Sequence, residues 1–328
     1  MRIDPVGVVG LGLLGRVIAA SLVGAGMHVV AFDISQQARQ DAFSFIENAV
    51  QEMVRHGVLA PQTAAAWPEH LSICNSISLL KSCAFVIESV NEDLSVKRQV
   101  FEELEAIVGQ DTPIASNTSA LPITLLQQGR KHVSRFLGMH WSQPCYATRF
   151  LEIIRGELTS DASLQLAVEL GRRVGKHPSI VNRDIPGFII NRLSYAMYRE
   201  AAHLVELGVA DVKTIDQAFC NAVGLWSSFC GPFRWIDITG GPGLYAKVMA
   251  GILPDLASSS EVPALFAARQ GTRGALDGKG FYTYEPGDAG RWQTLFHEHA
   301  WEFKRLQERV QPPTEDGGEE NSGTDKGS

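Results

Sequence analysis

Residues 6–15 read Val6-Gly7-Val8-Val9-Gly10-Leu11-Gly12-Leu13-Leu14-Gly15: a short apolar run, a G-x-G-x-x-G loop, then an apolar helical pattern to Gly24. A lone glycine triplet is a weak signal. A strand before it, a helix after it and an acid ending the next strand together make the dinucleotide-binding fingerprint. Gly10 permits the tight turn, Gly12 lets the backbone approach a pyrophosphate, and Gly15 lets the helix pack closely on the strand. The loop that carries Leu11, Leu13 and Leu14 opens a helix whose first amides face the anion. Asp33, 23 residues after Gly10, is placed to accept hydrogen bonds from the adenosine ribose hydroxyls and to repel a 2′-phosphate. Residues 34–37 offer no arginine to reverse that preference, so NAD is expected rather than NADP. FAD is the rival, but no flavin-domain pattern continues.

Outward from this loop, short apolar runs alternate with helical patterns: His28–Phe32, Ala84–Glu88, Pro113–Ser116, Arg135–Met139 and Phe150–Ile154. That alternation predicts an α/β Rossmann-type domain with a mainly parallel sheet. Ser35 to His56 is long, polar and helix-patterned, with Gly57 as a stop, so residues 35–67 read as a helical insertion. From Pro186 the texture changes to a helix that is apolar nearly all round, which implies burial in a domain centre or at a subunit interface. Helical patterns at Val212–Ala222, Tyr245–Ile252 and Arg291–Glu308 follow without a strand series. The expected organisation is an NAD-binding domain over 1–184 and an all-helical substrate and dimerisation domain over 185–310. Residues 311–328 lack aliphatic and aromatic side chains and read as a disordered acidic tail.

The chain has 328 residues and a net charge of −7, of which the tail contributes −4, so the body is close to neutral. No basic block marks it as a nucleic-acid or membrane binder. The apolar stretch 6–32 resembles a membrane span in hydropathy, but Arg16, His28 and its glycine spacing argue against one. Five cysteines with no C-x-x-C pair, and no His cluster at zinc spacing, point to a reducing, cytoplasmic setting and to no structural metal.

Six segments in order make the chain resemble the L-3-hydroxyacyl-CoA dehydrogenase superfamily. They are the glycine loop, Ile87 to Asp93, Ser116-Asn117-Thr118-Ser119, Gly138-Met139-His140-Trp141, Leu151-Glu152-Ile153-Ile154 and Pro186 to Arg192. The resemblance implies a catalytic pair at His140 and Glu152, substrate contacts from Ser119 and Asn191, and Glu92 and Lys97 near the nicotinamide ribose, with Asn117 also on the cofactor side. The residues support the pair independently. Removing a hydride from a secondary alcohol needs a base for the hydroxyl proton, and an imidazole oriented by a carboxylate is suited to that. A hairpin centred on Tyr146 sets positions 140 and 152 opposite one another on one face. The plainer readings are a satisfied core histidine at 140, a surface acid at 152, a helix cap at Ser119 and a packing amide at Asn191. Cys145 reads as a bystander, and His177, before a proline and a strand, carries no assigned role.

The resemblance implies oxidation of a 3-hydroxyacyl-CoA, such as 3-hydroxybutyryl-CoA in fatty acid metabolism, to the 3-keto product. Departures from the usual motif favour an alternative. Where the CoA enzymes read His-Phe-Phe-Asn-Pro-Val-Pro, this chain reads His140-Trp141-Ser142-Gln143-Pro144-Cys145-Tyr146, and residues 224–232 exceed their short turn. These features are similar to relatives that oxidise free acids of gulonate, carnitine or pyridine-carboxylate type. Gln143 and Arg234 are then candidate substrate contacts, Arg234 as the cation for a carboxylate and Arg149 a further basic residue of the same reading, while Tyr146 and Trp226 add bulk that closes the entrance of the CoA arm or packs at a domain or subunit contact. A non-catalytic structural or NAD-sensing protein is the reading from another class. A homodimer through the helical domain is the expected assembly.

Overall fold

The computed structural model describes residues 3–310; the expected acidic tail lies outside them. Strand β1 (Val6–Val9) leads through the glycine loop into helix α1 (Leu13–Gly24), and β2 (Val29–Phe32) follows. Helix α2 (Gln36–Arg55) starts where the Ser35 hydroxyl accepts from the Ala38 amide, and stops before Gly57 at φ 72°. Its polar outer face and the buried row Ala42, Ile46, Ala49, Val50 and Met53 show why so polar a stretch folds as a helix against the core. The short α3 (Pro61–Ala65) turns the chain back into β3 (Leu71–Cys74). Sequence reading did not anticipate β3, which is only four residues long and has Cys74 as its one fully buried residue.

Then come β4 (Phe85–Glu88), α4 (Leu94–Ile107), β5 (Ile114–Ser116), α5 (Ile123–Gln127), β6 (Phe136–His140), β7 (Phe150–Ile154), α6 (Asp161–Arg173) and β8 (His177–Val181). The eight strands form one sheet in the order β3-β2-β1-β4-β5-β6-β7-β8. Every pairing is parallel except β6 with β7. The order reverses beside β1, so the loops after β1 and β4 open at one carboxyl edge, where such sheets bind ligands. Pro178 is tolerated because β8 is an edge strand.

The rest is helical: α7 (Ile190–Glu206), α8 (Val212–Ser227), α9 (Pro232–Ile238), α10 (Gly241–Ile252), α11 (Ala264–Ala267) and α12 (Asp288–Arg309). Helix α12 returns to the first half of the chain. Its Trp301, 1% exposed, donates through Nε1 to Glu52 at 2.6 Å and stacks on His56 with ring centroids 4.7 Å apart. The expectation that the helix after Pro186 lies in a domain centre is corrected. Ala202 is its only fully buried residue, and Leu193, Tyr195 and Tyr198 are exposed. None of the described helices is long and apolar enough to cross a membrane.

Candidate active site

The glycine loop has the shape that the fingerprint requires. Gly10 adopts φ 89°, and a Cβ there would meet the Ser89 carbonyl at 2.6 Å. At Gly15 a Cβ would lie 1.8 Å from the Gly10 carbonyl oxygen, so the helix packs this closely only on glycine. At Gly12 an added Cβ meets nothing within 4 Å. The space above Gly12, over uncapped amides at the start of α1, is a cradle open to a pyrophosphate.

Asp33 supports this loop as well as facing it: Oδ2 accepts from the Leu11 amide at 2.7 Å and Oδ1 from the Ser35 amide at 2.7 Å. Arg39, one turn into α2, donates to the Asp33 carbonyl at 2.6 Å. The reading of residues 34–37 did not reach this arginine, because helix periodicity, not adjacency, brings it back to Asp33. These residues fit NAD, with the loop for its pyrophosphate and Asp33 for its adenosine ribose.

His140 ends β6 and Glu152 lies in β7, and the antiparallel register pairs them directly. His140 Nδ1 and Glu152 Oε2 are 2.8 Å apart, with the residues 7% and 1% exposed. A carboxylate only accepts, so Nδ1 carries a proton, and in the neutral imidazole the lone pair is then on Nε2. The other carboxylate oxygen, Oε1, accepts from the amides of Ile189 at 3.0 Å and Ile190 at 2.9 Å. The start of α7 is therefore fastened to the same acid that orients the imidazole. Gly187 at φ 79° and Phe188 at φ 50° make the turn that delivers those amides. A left-handed phenylalanine is uncommon and is held here by complete burial against His140, ring centroids 5.9 Å apart. Phe150 also meets the imidazole, edge-on at 5.7 Å.

The remaining candidates divide into two groups. Asn191 Nδ2 donates to the Ser119 carbonyl at 2.9 Å, which joins the helical half to the loop after β5. Thr118, not Ser119, accepts from the Leu121 amide, so the cap reading of Ser119 is replaced and its hydroxyl stays at an exposed position. Asn117 bridges the Ser89 hydroxyl at 3.0 Å and the Trp141 amide at 3.2 Å, tying together the ends of β4, β5 and β6.

Glu92 accepts from the Thr118 hydroxyl and from the amides of Ser119 at 3.0 Å and Ala120 at 3.2 Å. Burial opposes its charge, but these donors and Lys97 outweigh it and hold the carboxyl below its usual range. Lys97 is fully buried and bonds Glu88 at 2.8 and 3.1 Å. Sequence reading missed Glu88 as its partner; burial pushes that carboxyl up, against Lys97, the Ser116 hydroxyl and the Val90 amide. Lys97 thus ties the first turn of α4 to the end of β4.

Of the tentative substrate contacts, Gln143 donates to the Leu13 carbonyl at 3.3 Å, toward the glycine loop. Tyr146 does not shape an entrance. It is buried, with its hydroxyl on Glu52 at 3.0 Å and its ring 5.9 Å from Trp301. Trp226 stacks on Trp235 at 5.6 Å, and Arg234 occupies an exposed position on α9.

Known proteins share this fold. Residues 5–185 match the 3-hydroxyacyl-CoA dehydrogenase NAD-binding domain and residues 187–284 its C-terminal domain. A 5-formyl-3-hydroxy-2-methylpyridine 4-carboxylate 5-dehydrogenase of Mesorhizobium japonicum is 32% identical over 86% of this chain and 91% of its own length. A crystal structure of a dehydrogenase of that activity, described as an NAD⁺-dependent dismutase, aligns with TM-score 0.84 at 30% identity, covering 94% of this chain and 98% of that one. The (S)-3-hydroxybutyryl-CoA dehydrogenase PaaH1 of Ralstonia eutropha aligns with TM-score 0.72 at 29% identity, covering 87% and 100%. The chain spans only 40% of the fatty acid oxidation complex alpha subunit of Pseudomonas putida that it also matches. A glycine cradle with its acid, matched along with the helical half that meets Glu152, makes the chain a member of the 3-hydroxyacyl-CoA dehydrogenase family, an NAD-dependent dehydrogenase acting on a hydroxyl group.

Proposed function

We propose that this dehydrogenase oxidises the hydroxyl group of a small carboxylate-bearing alcohol that is not a CoA ester. The observation that carries the reading is the likeness to the pyridine-carboxylate dehydrogenase, at TM-score 0.84 against 0.72 for the hydroxybutyryl-CoA enzyme. The departures at residues 140–146 favour the same branch.

In this reading His140 Nε2 takes the hydroxyl proton as the carbon–hydrogen bond breaks, and Glu152 steadies the imidazolium that forms. NAD, when bound, supplies the hydride acceptor. Ser119 and Asn191 orient the substrate oxygens from the two sides of the cleft. The active assembly is a homodimer in which a second copy covers the exposed apolar face of α7; a patch of this kind on a monomer marks an interaction surface. All five cysteines are free thiols, which fits the reducing cytoplasm.

The test is kcat/KM with NAD for 3-hydroxybutyryl-CoA and for a panel of free hydroxy acids, including pyridine carboxylates that carry a hydroxymethyl group. Efficient turnover of the free acids, with the CoA ester at least about a hundredfold poorer, supports the reading. The reverse order returns the chain to CoA chemistry.

A further inference from the structure

A cavity of about 720 Å³ opens where α6 ends, β8 begins and α12 passes over them. Its walls present Arg149, Arg172, Lys176, His177 and Lys304 against a single acid, Glu308. Neighbouring arginines have acid partners: Arg173 pairs with Glu169 at 2.5 Å, and Arg155 pairs with Asp161. Neither Arg149 nor Arg172 has an acid partner among the described residues. Lys176 is more unusual still. Its residue is 2% exposed, its ammonium bonds the carbonyls of Cys145 and Thr148, and it lies 5.4 Å from the Trp141 ring, with no carboxylate beside it.

A buried ammonium without a counter-ion is costly, and so is a crowd of like charges around it. The groups here act on one another. Burial weakens the hold of Lys176 on its proton, opposed by Cys145 and reinforced by the Lys304 charge; Arg149 adds to the burial effect at His177 and at Lys304, where Glu308 opposes it. Packing alone would be served better by neutral side chains. What this arrangement lacks is negative charge.

We propose that the cavity is a binding site for a small phosphate-bearing polyanion, separate from the dinucleotide loop and from His140. Two guanidinium groups supply the paired donors that match phosphate oxygens, and the two lysines supply point charges. The site lies directly behind the catalytic hairpin. The His177 amide donates to the Arg149 carbonyl at 2.8 Å, His177 pairs in register with Phe150, and Phe150 packs on the His140 ring. Lys176 and Lys304 hold the carbonyls of Cys145, Thr148 and Tyr146, within the segment that joins the two catalytic strands. An anion bound here braces that segment.

The experiment uses the full chain saturated with NAD, so that the dinucleotide pyrophosphate cradle is already filled, and follows thermal unfolding with added inorganic pyrophosphate. Sodium chloride at matched ionic strength is the control for screening. A saturable rise in Tm is expected. In Arg149→Ala/Arg172→Ala the apparent Kd should weaken about tenfold or more, while Tm without pyrophosphate stays level or rises because repulsion is relieved. Arg172→Ala alone, at the exposed end of α6, gives the same sign if the double variant does not fold. Absence of a Tm rise, or an equal rise in the arginine variants, overturns the proposal. So does pyrophosphate binding that appears only in a chain ending at Val310, because the acidic residues 311–328 would then be the occupant.

Discussion

Val6, Val8, Ile18, Phe85, Ile87 and Ile153 in the first half of the chain are wholly out of water, whereas between residues 190 and 290 only Ala202 is fully buried. Both halves are rich in apolar residues, so composition does not explain the difference. The sheet and its helices close a core within one chain. Helices α7 to α11 do not, and leave Leu193, Tyr195, Leu225 and Phe233 facing solvent. The two halves therefore contribute differently. The first is a cofactor platform whose core takes in Trp301 from α12, and the second supplies Asn191 and the amides that grip Glu152 from helices left largely exposed.

The largest expected effect falls on the platform. His140→Gln should lower kcat about 10²- to 10⁴-fold while NAD affinity, measured by fluorescence titration, stays within about twofold. A parallel loss of NAD binding would show that the two functions are not separable.

The next concerns the open half. The parent chain should sediment at twice its 35.7 kDa mass, and Leu193→Arg/Tyr195→Glu should halve that value and reduce activity by roughly tenfold or more, since Asn191 is on the same helix. A parent that sediments as a single chain would show that the open half needs no second copy. Asp33→Ala is smaller in effect: KM for NAD should rise about tenfold, from lost ribose hydrogen bonds and a loosened Leu11 amide. NADP turnover should become measurable, with Arg39 close by to meet a 2′-phosphate.

The smallest effect is a slope. Burial holds Lys176 to about 8 in the folded chain, below an unfolded lysine. From about pH 8 up to the unfolded lysine range the unfolded state therefore binds more protons at this residue, and its contribution to stability rises with pH. From the unfolded thiol range at about 8.5 upward, Cys83 and Cys145, pushed up to about 12 by burial, act in the opposite sense because they ionise first when unfolded. Lys176→Met should shift the slope of Tm against pH between about pH 8 and 9 in the negative direction; an unchanged slope would show that Lys176 does not carry this contribution.

Much of the platform is legible in the sequence because its signals are local. The glycine loop must precede a helix, and two antiparallel strands joined through Tyr146 have a constant sum of paired positions, which sets 140 against 152. What the sequence leaves open depends on contacts between distant segments. The amides of Ile189 and Ile190 reach Glu152 only because Gly187 and Phe188 both turn left-handed, and Pro-Gly alone does not specify that. Tyr146 reads as a residue of the site entrance, whereas Glu52 of α2 and Trp301 of α12 enclose it from segments far away along the chain. The apolar helix after Pro186 reads as one that needs cover, and the fold of a single chain leaves most of it uncovered.

In the proposed mechanism His140 and Glu152 act as one unit, oriented by both halves of the molecule. A double-mutant cycle in kcat tests it most directly, using His140→Gln, Glu152→Gln and the combined variant. The combined loss is predicted to be well below the product of the two single losses, close to that of His140→Gln alone. Losses that multiply in full would contradict the claim, and would mean that the 2.8 Å contact between imidazole and carboxylate has no part in the chemistry.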